Sequence, residues 1–168
     1  MLNDRIFLAV TGQSLARADK MDEHWRVKHS LGGMKINVMV NVPDARSLIL
    51  IGTQENGVLI SEDSGKTWRS IGLDHIPVKS LAVDPQDPRT IYAGCKPVSL
   101  FKTDNLGETW VELRGMRKKR KWWWFSPADQ PGFEPYVSAL AVSPEDPDVI
   151  LAGIELGAVM RSDDGGRS

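Results

Sequence analysis

The stretch Ser61–Trp68 reads SEDSGKTW, and its Gly65-Lys66-Thr67 has the tail of a phosphate-binding loop. Such a loop needs Gly-x-x-x-x-Gly-Lys-Ser/Thr, a strand before it and a helix after it, so that backbone N–H groups cradle phosphate. The first glycine would fall at position 60, which is Ile60, and the following WRSIGLD carries no helical period. The stretch also recurs, as TDNLGETW from Thr103 and as SDDGGRS from Ser162, and the position of Lys66 is then taken by Glu108 and Arg167. A lysine gripping phosphate could not vary in this way, so nucleotide chemistry is set aside.

The second place with chemical potential is RGMRKKRKWWWFSPADQPGFEP, residues 114–135. It holds the cations Arg114, Arg117, Lys118, Lys119, Arg120 and Lys121, then Trp122, Trp123, Trp124 and Phe125. Read as a binding loop, the cations meet an anion and the indole faces stack on a sugar or base. Read as structure, the tryptophans cap a core and the basic run is a solvated turn. Three adjacent aromatics cannot all face one way on an extended chain, so at least one is expected to pack inward. Nucleic-acid binding rests on this loop alone and is disfavoured; it would bring a steep loss of affinity with salt. His24, His29 and His75 share no metal-ligand spacing and read as surface residues. The lone Cys95 allows no intrachain disulfide and reads as a small buried residue. Neither a metal nor a cofactor is expected.

What must position these residues is a repeat. The shared motif is Ser/Thr-x-Asp/Asn-x-Gly-x-Ser/Thr-Trp. Its fixed positions are Ser61, Asp63, Gly65, Thr67 and Trp68; then Thr103, Asn105, Gly107, Thr109 and Trp110; then Ser162, Asp164, Gly166 and Ser168. Upstream, VKSLAVDPQDPRTIYAG (78–94) matches VSALAVSPEDPDVILAG (137–153) without gaps, and INVMVNVPDARSLILIG (36–52) is a looser copy. Each unit reads as four short strands; in the middle unit these are KSLAV, TIYAG, SLFKT and TWVEL. Pro-Asp-Pro chemistry turns the first pair and the Asp/Gly motif turns the last. A period near 42 residues with four strands is the signature of a propeller blade. The expected fold is therefore all-β, a β-propeller of four-stranded antiparallel blades at about 5–31, 36–72, 78–113 and 137–168, with an inserted loop at 114–135. The first blade is degenerate. IFLAVTGQSLARADKMDEHW parallels LILIGTQENGVLISEDSGKTW, which sets Trp25 in the place of Trp68 and starts the chain at strand two of a blade. About three and a half blades result, an open or incomplete ring. Its end blades are expected to expose apolar faces that favour self-association, with residues 158–162 as an open edge.

The motif is similar to the Asp box, or BNR repeat, and with LAVDPQDPRTIYAG and LAVSPEDPDVILAG it resembles the BNR-like propellers: sialidase-like proteins, sortilin-type receptors, xyloglucan-cleaving hydrolases and photosystem assembly factors. The resemblance covers about residues 5–168 apart from the insert. It implies that the boxes are structural turns on the rim away from a ligand face. On that reading the side chain of Asp63, Asn105 or Asp164 accepts N–H bonds of its own turn, the glycine takes positive φ, and the tryptophan packs between blades. It implies too that the insert opens onto the ligand face, which makes Arg117, Lys119, Arg120, Trp122, Trp123 and Trp124 the candidate ligand-face residues. Sialidase chemistry needs three arginines, a Tyr–Glu nucleophile pair and an Asp acid. Only Tyr92 and Tyr136 exist here, and only Tyr136 has a glutamate close by, Glu134. A carboxylate pair for glycoside hydrolysis would have to come from Asp129, Glu134 or Glu155, and no pattern singles out two of them.

Composition agrees with an ordinary soluble domain, with 41% apolar and 26% charged residues and a net charge of −1, so no global attraction to nucleic acid or membrane is expected. The N-terminal apolar run is too short for a signal peptide or a membrane span, and a cytoplasmic location is expected. The function expected is a non-catalytic binding or scaffold propeller with an unknown protein or carbohydrate ligand and no catalytic residues of its own. The alternative is a glycoside hydrolase or sialidase-like enzyme with its catalytic set partly outside this chain.

Overall fold

The computed structural model describes residues 5–42, 47–115, 134–155 and 158–168. Their fourteen strands form four antiparallel sheets. The first holds β1 (Ile6–Val10), β2 (Leu15–Met21) and β3 (His24–Ser30). The second holds β4 (Ile36–Asn41), β5 (Ile49–Thr53), β6 (Val58–Ser61) and β7 (Arg69–Ser70). In the third lie β8 (Val78–Val83), β9 (Ile91–Cys95), β10 (Ser99–Thr103) and β11 (Val111–Glu112). The fourth has β12 (Val137–Val142), β13 (Ile150–Ile154) and β14 (Ala158–Ser162). Within each sheet the strands lie in chain order, and β4, β8 and β12 sit side by side as the inner strands.

Alternation along each strand builds the core between sheets. Leu50, Val58 and Ile60 of the second sheet pack on Val78, Leu81 and Ile91 of the third. Tyr92 and Leu100 of the third pack on Val137, Ile150 and Ala152 of the fourth. Leu15 of the first packs with Ile36, Ile51 and Leu59 of the second. Each Val, Leu or Ile among them contributes about 1.5–3 kcal/mol when fully buried. Between these side chains the sheets close on glycine. A Cβ on Gly52 would stand 2.6 Å from Val78, and one on Gly94 the same distance from Val137. Gly153, their counterpart in the fourth sheet, has nothing nearer than 3.4 Å.

The repeat register carries one face into water. Leu50 and Tyr92 are 0% and 1% exposed, whereas their counterpart Leu151 is 43% exposed; Val58 is 0% exposed and its counterpart Val159 is 76%. At the other end of the row the first sheet exposes Phe7, Trp25 and Val27, with the rings of Phe7 and Trp25 edge to face at 5.1 Å.

The first sheet departs from the sequence alignment. β2 and β3 pair as far as Met21 with His24, leaving only Asp22 and Glu23 to turn the chain. Trp25 therefore lies inside β3, opposite Lys20, and not in an inter-sheet layer like Trp68. The physical reason is the missing glycine: Asp22 stands where the motif needs positive φ, so a tight hairpin with longer strands replaces the motif turn.

Candidate functional site

The three motif turns have one geometry. In the second sheet Asp63 Oδ1 accepts from the Lys66 and Thr67 N–H groups at 2.9 Å each, Oδ2 accepts from Thr67 Oγ1 at 2.7 Å, and Ser61 Oγ takes the Gly65 N–H at 2.8 Å. In the fourth sheet Asp164 bonds the N–H and hydroxyl of Ser168 at 2.9 and 2.7 Å, and Ser162 Oγ takes the Gly166 N–H at 2.9 Å. Asn105 accepts from the Thr109 N–H at 3.0 Å, but its amide donates to Thr109 Oγ1, so that hydroxyl reverses its role; Thr103 takes the Gly107 N–H at 2.9 Å. Gly65, Gly107 and Gly166 have φ of 83°, 85° and 85°, and a Cβ on Gly107 would also meet Ile71 at 2.6 Å. These bonds hold the Asp63 carboxyl well below the usual range, the Thr67 N–H acting most strongly. Those from Ser162 and Ser168 lower Asp164 to about 2. With their oxygens engaged and their pKa depressed, these carboxylates are poor proton donors or acceptors at neutral pH.

In the second and third sheets a tryptophan links the motif turn to the sheet before it. Trp110 Nε1 donates to the Ile71 carbonyl at 2.6 Å. Trp68 packs against the Leu8 and Leu31 cluster, and its buried Nε1 has no acceptor among the described residues.

A second repeated feature lies at the opposite end of the inner strands. The register slips between Ile36 and Val38 in β4, between Val78 and Ser80 in β8, and between Val137 and Ala139 in β12. The bulged residues are thus Asn37, Lys79 and Ser138. A bulge re-aims its side chain, and bulges are frequent beside functional sites. The Lys79 ammonium donates to Gln54 Oε1 at 2.7 Å and to Asn37 Oδ1 at 3.4 Å, and lies 5.6 Å from the centre of the Tyr136 ring. Asn37 Nδ2 in turn donates to the Val78 carbonyl at 2.9 Å. Burial, then the charges of Lys35 and Lys96, depress the Lys79 pKa, while Glu155 opposes them. Four segments thus bring two amides, a half-buried ammonium and an aromatic ring together, an arrangement suited to hydroxyl-rich or amide ligands. The sequence held one signal of it: a polar residue second in each inner strand, in INV, VKS and VSA.

The insert joins this end. The Pro135 carbonyl accepts from Val98 N at 3.0 Å in the β9–β10 turn, and the Tyr136 carbonyl accepts from Glu155 N at 3.0 Å in the β13–β14 turn. At its start, a Cβ on Gly115 would stand 3.0 Å from the Arg167 carbonyl, beside the third motif turn. Arg117, Lys119, Arg120, Trp122, Trp123 and Trp124 lie outside the described residues. Tyr92 is buried against the fourth sheet, and burial raises its pKa. Burial likewise pushes the Cys95 thiol to about 12, far from a reactive thiolate. His24, His29 and His75 are exposed and scattered.

Seen beside solved structures, the row of sheets has clear counterparts. An ancestral GH74 enzyme superposes with TM-score 0.63 at 16% identity, over 96% of this chain and 23% of its own. The four sheets are β-propeller blades. An auxiliary nutrient binding protein from Bacteroides thetaiotaomicron also superposes on this propeller, with TM-score 0.63 at 15% identity, over 96% of this chain and 36% of its own. YCF48 bound to D1 peptide gives 0.53 at 18% identity, over 79% and 38%. No family model matches the propeller chain. Among curated proteins, an oligoxyloglucan-reducing end-specific xyloglucanase of Emericella nidulans is 29% identical over 72 residues, and a probable one of Neosartorya fischeri is 32% identical over the same length. Each match covers 39% of this chain, and the propeller chain spans only 9% of the length of either relative.

Proposed function

We propose that this chain is a non-catalytic binding or scaffold propeller, built on Asp-box turns, whose ligand face is the bulged end of the inner strands. The observation that carries the reading is the cluster of Asn37, Gln54, Lys79 and Tyr136. The insert residues Arg117, Lys119, Arg120, Trp122, Trp123 and Trp124, which lie outside the described residues, belong to this proposal as further ligand contacts. An aromatic ring beside amides and an ammonium suits a sugar, and the names of the curated relatives make xyloglucan the first ligand to try. A protein partner is the other form of the same reading, supported by the peptide bound to YCF48. The exposed faces of the first and fourth sheets add self-association to the proposal.

The alternative, a glycoside hydrolase or sialidase-like enzyme with its catalytic set partly outside this chain, draws on one observation. Glu134 and Glu155 both lie next to Tyr136, one two residues before it and one bonded to its carbonyl. Xyloglucan oligosaccharides separate the two. Binding without new reducing ends, weakened about tenfold by Tyr136→Ala or Lys79→Ala, is the expected result. No binding would overturn the carbohydrate form. Hydrolysis that disappears in Glu134→Gln or Glu155→Gln would overturn the non-catalytic reading.

A further inference from the structure

The first sheet carries a second cleft of different chemistry, of about 450 Å³, against the Ser61–Trp68 turn. Strand register puts Arg17 opposite Lys28 and Asp19 opposite Arg26, so alternation places all four on one face. Arg5 lines the cleft from just before β1, and Lys66 from the turn. Arg17 is already committed. It is buried, its Nε donates to the Ser64 carbonyl at 2.9 Å, and its guanidinium is paired with Asp19. Asp19 is the one carboxylate among the described residues lining the cleft. Arg5, Arg26, Lys28 and Lys66 therefore line it with no ion-paired side chain among the described residues. Lys20 is not part of this set, because its ammonium lies over Trp25 on the other face of the sheet.

Composition does not account for this concentration, since the whole chain has a net charge of −1. Like charges sharing a concave surface repel one another and focus a positive potential into it. An incoming anion reverses the sign of that interaction. Guanidinium forks match tetrahedral oxyanions and carboxylates, while the ammonium groups act as point charges. Four cations without an ion-pair partner among the described residues call for more than one negative charge, and the volume is that of a small-molecule site. We propose that this cleft binds a compact polyanion carrying phosphate or sulfate groups. Arg17 is its positioning residue: bridging the first sheet to the Ser64 carbonyl, it fixes the two walls at one distance.

Calorimetric titration of the full chain with tripolyphosphate, and separately with a heparin hexasaccharide, tests the proposal. The expected result is saturable binding of one ligand per chain, weakening as salt rises. The affinity should fall about tenfold or more in Arg26→Glu/Lys28→Glu and again in Lys66→Glu. Lys35→Glu removes the same charge outside the cleft and should leave binding unchanged. Lys66→Glu comes from the other wall and serves on its own if the strand double variant fails to fold. The tighter probe tells phosphate from sulfated sugar. Absence of saturable binding of either probe up to about 1 mM, or a Lys66→Glu chain that binds like the parent, overturns the proposal. Neither outcome touches the Lys79–Tyr136 face, which is read with a neutral sugar.

Discussion

Asp63 and Asp164 make the fold sensitive to acid in a defined window. Their folded pKa values lie below the unfolded carboxylate value of about 3.9. The contribution of the two turns is therefore complete above that pH and drains away as pH falls toward the folded values. Urea midpoints should drop more steeply between about pH 4 and pH 2 in the native chain than in Asp63→Asn/Asp164→Asn. Asn105 shows that an amide can hold the same turn without a charge to titrate. The two motif tryptophans differ in another way. Trp110→Phe loses a donor bound to the Ile71 carbonyl, whereas Trp68→Phe removes an N–H with no described acceptor. Equilibrium unfolding should find the first costlier than the second by about 1 kcal/mol. Equal costs would mean that the Trp110 bond is worth nothing net.

Strands two and three of the second and third units were readable because they pack on both faces. SLFKT, for instance, is the strand Ser99–Thr103 to the residue. Outer strands were less so: TWVEL contains a ladder of only Val111 and Glu112, since a half-solvated strand imposes little on its sequence. The hairpin of the first sheet was misread because its alignment leaned on Trp25, a residue whose packing partner changes once the turn shortens. The Lys79–Tyr136 cluster escaped because it joins four separate segments through bulges, and a bulge breaks the alternation on which the reading depends. Gly52, Gly94 and Gly153 each end one of the three matching upstream segments, but nothing in the sequence marks them as contacts between sheets. Gly94→Ala should destabilise by about 1–3 kcal/mol in equilibrium unfolding, because Val137 stands in the way of the methyl group. A neutral result would show that the third and fourth sheets can slide apart at little cost.

Across the molecule, stability is handed from each sheet to the next, and the two outermost faces are left over. Phe7 at one end and Leu151 and Val159 at the other belong to positions that the repeat buries elsewhere. Sedimentation of the chain should show association that rises with concentration and is reduced by Leu151→Glu/Val159→Glu. A chain that stays monomeric at every concentration, with or without the substitutions, would end that reading. Gly153 gives these faces a gauge. A glycine inside a strand ordinarily costs about 0.5–1 kcal/mol relative to alanine, and only close approach of a neighbour makes it worth keeping. Gly52 and Gly94 have such a neighbour; Gly153 is a parking space with no vehicle in it. Adding one methyl group there reports on occupancy without any knowledge of the occupant. If the fourth sheet works bare, Gly153→Ala raises the melting temperature; if something docks against it, the same methyl group lowers the melting temperature of the assembly and drives the occupant off.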